Sequence, residues 1–136
     1  MAMTEERSAQ PGRSADVSRL VGRLDNADVR WNGTFYGPMP TVASNAGRRL
    51  LDAGAEAIPH LIGALGDASR FVAAHVLLTL LSGVEYPTAP WNGLEIELTE
   101  NAEPRIDPGQ RSGLARRWRS WQAQSPHPRA LPPDQG

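Results

Sequence analysis

Apolar residues recur with helical spacing in five stretches of this chain. Val17, Leu20, Val21 and Leu24 fall at i, i+3, i+4 and i+7 behind Ser14, a residue suited to cap a first turn, and they predict a helix over 15–26. Thr41 is placed to cap a second helix, with Val42, Ala43, Ala46, Leu50 and Ala53 inward and Gly54 as its stop. A third helix is expected over 55–65, with Pro59 near its first turn and Ile58, Leu61, Ile62 and Leu65 on one face. Asp67 then caps a fourth, 68–81, in which Phe71, Val72, Ala74, Val76, Leu77, Leu78, Leu80 and Leu81 leave almost no polar face. A helix apolar nearly all round belongs at the buried centre. The fifth starts at Asp107-Pro108-Gly109-Gln110, with Asp as N-cap, Pro at the first position and Gln at the third, and buries a stripe of Leu114, Trp118 and Trp121.

Two stretches break the helical period. Residues 31–40 contain Asn32-Gly33, Pro38 and Pro40, which forbid a helix, but also Trp31, Phe35 and Tyr36, which resist a purely solvated loop, so this segment is expected to fold back over the core. Leu94-Glu95-Ile96-Glu97-Leu98 alternates with period two and predicts a short strand, half of a small hairpin. Alternation puts Glu95 and Glu97 on the same outward face, where solvated charge is a better reading than a catalytic carboxylate pair. Both Trp-Asn-Gly sequences, 31–33 and 91–93, fit a type I′ turn with the tryptophan covering the core edge. The ends, 1–13 and 123–136, have no apolar period and read as flexible tails around a single domain, 14–122. The first of them lacks the apolar run of a secretory signal.

Composition narrows the chemistry more than it selects it. Fourteen basic residues, every one arginine, face fifteen acidic ones, so no global field marks a nucleic-acid or membrane binder, and the arginine preference reflects GC-rich coding before it reflects a partner. The absence of cysteine removes disulfides, thiolate metal sites and cysteine nucleophiles, and fits a cytoplasmic location. The longest apolar run, 71–81, is too short to span a bilayer, and no membrane association is expected. Charge is nonetheless segregated locally. Residues 84–103 carry five Glu and no Arg, whereas 105–121 carry five Arg against Asp107.

The run Val42-Ala43, Ala46, Leu50-Leu51, Gly54, Ala57-Ile58-Pro59, Leu61-Ile62, Ala64-Leu65, Asp67 and Val72-Ala73-Ala74 resembles the HEAT-like repeats of the bilin-lyase type. Val42, Ala43, Leu50 and Leu51 recur thirty positions on as Val72, Ala73, Leu80 and Leu81, about one and a half repeats. Ile106-Asp107-Pro108, Arg111, Trp118 and Trp121 look like the closing helix of some bacterial HEAT-repeat proteins. The resemblance implies an all-α fold: a short HEAT-like, armadillo-like α-α superhelix of about five helices with a minor β insertion.

HEAT-like units carry no inherent chemistry, so the resemblance implies a protein-binding or scaffolding module with no cofactor and another protein as partner. The alternative is a nucleic-acid-associated protein using arginines of the last helix, and a more distant one, taking the family name literally, is a chromophore-handling lyase. On a helical wheel Arg116 and Arg119 lie opposite the Leu114/Trp118/Trp121 stripe, with Arg111 and Arg117 at its edges, a face able to hold phosphates or carboxylates. Trp31, Phe35, Tyr36 and Trp91 form a second candidate surface, an aromatic patch, on the condition that they are exposed. Glu56, His60 and His75 are too few for a closed metal site, and His75 is better read as a core histidine bonded to backbone. No phosphate-binding loop, dinucleotide fingerprint, nucleophile elbow or zinc-protease motif occurs, so an enzyme is not the expected reading.

Overall fold

The structure, a computed structural model, describes residues 15–34, 37–83, 91–101 and 103–124. Helix α1, residues 15–22, ends four residues earlier than its apolar period predicts. Asp25 accepts from the Ala27 amide at 2.8 Å while its own amide donates to the Asp28 carboxylate at 3.0 Å, and this capping box opens a 3₁₀ turn at Asn26–Asp28. Leu24 keeps the period because tertiary contacts bury it beyond the helix end.

The segment expected to lie over the core is a β-hairpin. Strand β1, Val29–Thr34, pairs antiparallel with β2, Gly37–Val42, in the register Val29↔Val42 through Thr34↔Gly37. Asn32-Gly33 is therefore not a turn: Asn32 opposes Met39 and Gly33 opposes Pro38 within the ladder. The Phe35 and Tyr36 half of the aromatic patch lies outside the described residues. With Thr34↔Gly37 closing the hairpin, Pro38 and Pro40 occupy the non-hydrogen-bonded pairs, where a missing N–H costs the ladder nothing.

Because Thr41 and Val42 are consumed by that ladder, the next helix starts later than predicted. Helix α2, Asn45–Ala53, is capped by Ser44, whose hydroxyl accepts from the Gly47 amide at 3.0 Å. A 3₁₀ turn at Gly54–Ala57 leads into α3, Ile58–Ala64, with Pro59 in its first turn as expected. Asp67 organises the connection that follows, accepting from the Ser69 hydroxyl and amide at 2.7 and 2.9 Å and pairing with Arg70. Those bonds from Ser69 hold its carboxyl below the usual carboxylate range. The turn delays helix α4 to Phe71–Ser82.

Every residue of α4 from Phe71 to Thr79 is buried, which makes it the centre of the molecule. Its first turn has no side-chain cap of its own and is closed from across the fold: the Val72 amide donates to Asn26 Oδ1 at 3.0 Å, while Asn26 Nδ2 donates to the Ala68 carbonyl at 2.8 Å. Arg70 returns the exchange by donating to the Gly22 carbonyl at the end of α1, 2.9 Å away. Helices α3 and α4 form the most extensively packed helix pair, with α2 also against α4. The thirty-residue echo does not survive into structure. Val42 closes a strand while Val72 is inside a helix, and Leu50 is fully buried while its counterpart Leu80 is 47% exposed.

Past the core helix, Trp91 and Leu94 exchange backbone bonds at 3.3 and 2.9 Å around Asn92 and Gly93, whose φ angles of 50° and 86° are those of the expected type I′ turn. Leu94 and Ile96 are buried and Glu95 and Glu97 exposed, as alternation predicts. The ladder itself is two residues long, β3 (Glu97–Leu98) against β4 (Pro104–Arg105). Asp107 then caps a 3₁₀ turn, Pro108–Gln110, that runs into helix α5, Arg111–Gln124. Gln110 does not complete a capping box. Its amide bridges to residue 95 instead, accepting from the Glu95 N–H at 2.7 Å and donating to its carbonyl at 3.1 Å, which fastens the β3–β4 hairpin to the start of α5. The architecture is thus predominantly helical with two small antiparallel hairpins. No helix among the described residues is long and apolar enough to cross a membrane.

Candidate functional site

A line of aromatic rings crosses the molecule from the first hairpin to the last helix. Trp31 meets Trp91 edge-on at 6.0 Å, Trp91 meets His75 at 5.9 Å, His75 meets Trp118 at 5.9 Å, and Trp118 meets Trp121 at 5.3 Å. The first four rings are buried, whereas Trp121, at the end of the line, is half-buried. The condition for an aromatic binding patch is therefore not met at Trp31 and Trp91, which are 5% and 2% exposed and cover the core. The α5 stripe is likewise unequal, since Trp118 is in the core and Trp121 borders the surface.

His75 is the polar centre of this line. Trp118 Nε1–H, a donor only, points to His75 Nδ1 at 2.9 Å, so Nδ1 carries no proton and the imidazole is the Nε2–H tautomer, directed at the Trp91 carbonyl 3.4 Å away. Burial pushes the His75 pKa down to about 4, with the Arg117 charge adding in the same direction. Thr79 donates to the His75 carbonyl and accepts from Asn92 Nδ2, each at 2.8 Å. Arg117 closes the ring, donating to the Asn92 carbonyl at 2.6 Å and to its side-chain oxygen. The polar groups of this network satisfy one another, and the arrangement leaves the imidazole no access to solvent. It is a structural joint between α4, the 91–94 turn and α5 rather than a catalytic base. His60 is only partly buried on α3, and no group of three potential metal ligands comes together among the described residues.

The arginine face divides in two. Arg111 donates to the Pro108 carbonyl at 2.8 Å and the Gly66 carbonyl at 3.1 Å, tying the start of α5 to the end of α3, and Arg117 holds the Asn92 turn. Arg116 and Arg119 are exposed and make no hydrogen bond or ion pair among the described residues. Beside Arg116, a shallow open groove runs along α5 past Gly113, Arg117 and Ser120 to Trp121. Exposed Glu95, Glu97, Glu100 and Glu103 lie on the hairpin fastened to the start of the same helix, where Glu97 comes within 4.0 Å of Arg105. The periodicity of α5 was enough to place Arg116 and Arg119 on its exposed side. His75 as a core histidine bonded to backbone and the turn at Asn92 were each expected, but their joining through Arg117 was not foreseen, because the members are separated by up to 42 positions.

No known protein family, curated protein or solved structure matches the chain. Function therefore has to be argued from the site alone.

Proposed function

We propose that this chain is a non-catalytic protein-binding module whose contact surface is the outward face of α5, and that its partner is an acidic segment of another protein. One observation carries the reading: Arg116 and Arg119 are presented without internal partners on the outward side of α5, and Arg116 lines the same groove as the half-buried Trp121, on a helix whose inner side is anchored by Trp118. An anchored helix loses little conformational freedom on binding, and an aromatic edge flanked by arginines suits a segment combining carboxylates with an apolar side chain. The same face favours a short acidic segment over nucleic acid, because a phosphate track extended toward the start of α5 meets the exposed glutamates of the β3–β4 hairpin. For the body, the close packing of α3 on α4 supports a HEAT-like helix pair serving as the platform.

Fluorescence anisotropy with a labelled Glu/Leu peptide tests this directly. Arg116→Ala with Arg119→Ala is expected to weaken binding roughly three- to thirtyfold, as two rim charge contacts would. Equal binding by the variant, or binding confined to duplex DNA with a steep salt slope, would sink the proposal.

A further inference from the structure

We infer that α5 is fastened to the body by an acid-releasable latch, the hydrogen-bond ring through His75, Trp91, Asn92, Arg117 and Trp118, and that protonation of His75 detaches α5 while α4 stays folded. The inference does not depend on what α5 binds.

Direction is what makes the ring a latch. The indole N–H of Trp118 needs an acceptor, and His75 Nδ1 provides one only while it carries no proton. A second proton on the imidazole turns Nδ1 into a donor facing a donor at 2.9 Å, inside a region from which water is excluded. The charged group whose field reaches His75 is Arg117, from α5 itself, and it opposes the imidazolium. The α4 neighbours and the 91–94 turn present Thr79, Asn92 and Trp91, with no carboxylate among the described residues to stabilise the charge. Relief comes from movement of the element carrying both Trp118 and Arg117, which is α5. Helix α4 packs as well on α2 and α3, so its burial does not depend on α5 alone.

Linkage sets the size of the effect. The closed form resists protonation down to about pH 4, whereas an opened joint exposes an imidazole with the ordinary value of 6.5. The open population should then rise roughly fortyfold between pH 6.5 and 4.5. Hydrogen exchange of the full chain, read by mass spectrometry on peptides from α4 and α5 and corrected for the intrinsic pH dependence, measures it. The expected result is a large acid-induced loss of protection in α5 with α4 unchanged, and none in His75→Asn, whose side-chain oxygen can take the place of Nδ1 without titrating. Independently of any variant, ring nitrogen shifts in the wild-type chain should show the Nε2–H tautomer at pH 7. The latch is overturned if α4 and α5 lose protection together, if α5 ignores pH, if His75→Asn keeps the acid step, or if Nδ1 carries the proton at neutral pH.

Discussion

The same tripeptide, Trp-Asn-Gly, occurs at 31–33 and at 91–93 and does two different things. At 31–33 it lies within strand β1, with Asn32 and Gly33 exposed and paired to Met39 and Pro38. At 91–93 it is a type I′ turn in which Asn92 is fully buried with φ 50°, donating to Thr79 and accepting from Arg117. Both tryptophans are core residues and touch each other, so the apolar instruction is obeyed twice while the Asn-Gly instruction is obeyed once. What differs is the surroundings. The 91–94 turn is followed by Leu94, which must also enter the core, and is gripped by polar partners from α4 and α5. Asn32-Gly33 lies inside a ladder that runs through it as far as Thr34↔Gly37. Burying one tryptophan edge therefore tolerates either backbone, and long-range contacts choose between them.

Substitutions in the two tripeptides and at His75 test that contrast. Trp91→Ala should cost about 3–5 kcal/mol in urea unfolding, since the ring packs between Trp31 and His75 with 2% exposure; a loss below about 1 kcal/mol would remove the turn from the core. Next in size is pH. His75 is held near 4 in the fold against 6.5 when unfolded, so between these values the unfolded chain binds a proton that the native chain does not. Stability contributed by neutral His75 is complete above about pH 6.5 and is lost progressively toward pH 4, a fall of roughly 3 kcal/mol. Unfolding free energies measured from pH 7 to 4 in wild type and in His75→Asn should diverge by about that amount, and parallel curves would show the imidazole to be already solvated.

Asn92→Ala removes two side-chain bonds, one buried and one part-buried, and leaves an alanine at positive φ, for a loss of roughly 2–3 kcal/mol, whereas Asn32→Ala in the exposed ladder should stay within about 0.5 kcal/mol. Equal costs for the pair would mean that the two copies share one conformation. The smallest contrast is at the glycines. Gly93→Ala, at φ 86°, should cost about 1 kcal/mol, while Gly33→Ala places a Cβ at an ordinary 3.6 Å from Leu98 Cδ1 and should be neutral or stabilising by a few tenths. Thermal melts of the two variants moving in opposite directions would confirm the assignment, and a shared direction would contradict it.

Much of the helical body was legible because it follows from local periodicity and burial. The α4 centre, the inward faces of α3 and α5, and the alternation at 94–98 each follow from spacing that places apolar side chains on one side. Arg116 and Arg119 were legible for the same reason, as the far side of the α5 wheel. The boundaries were less so. Thr41, the cap expected from its place ahead of Val42, is taken by a strand pairing across to Arg30, which leaves the cap to Ser44, a stronger cap former by type. Leu24 fits the α1 period but is buried after the helix has ended, because Asp25 and Asp28 cap a new turn in its place.

Local spacing was enough to indicate a predominantly helical domain with α4 inside, although it did not separate the exposed Leu80 from its buried neighbours. Which Asn-Gly turns, which helix ends are capped from a distance by Asn26 and Arg70, and the closing of His75, Asn92 and Arg117 into one hydrogen-bonded joint all depend on contacts across the fold. Hydrophobicity is a property each residue carries in its own side chain, and its period can be read along the chain, even though a single position such as Leu80 can end up exposed. A hydrogen bond in the interior needs two partners at about 3 Å with the right direction, and when they are separated by many residues nothing along the chain announces the meeting.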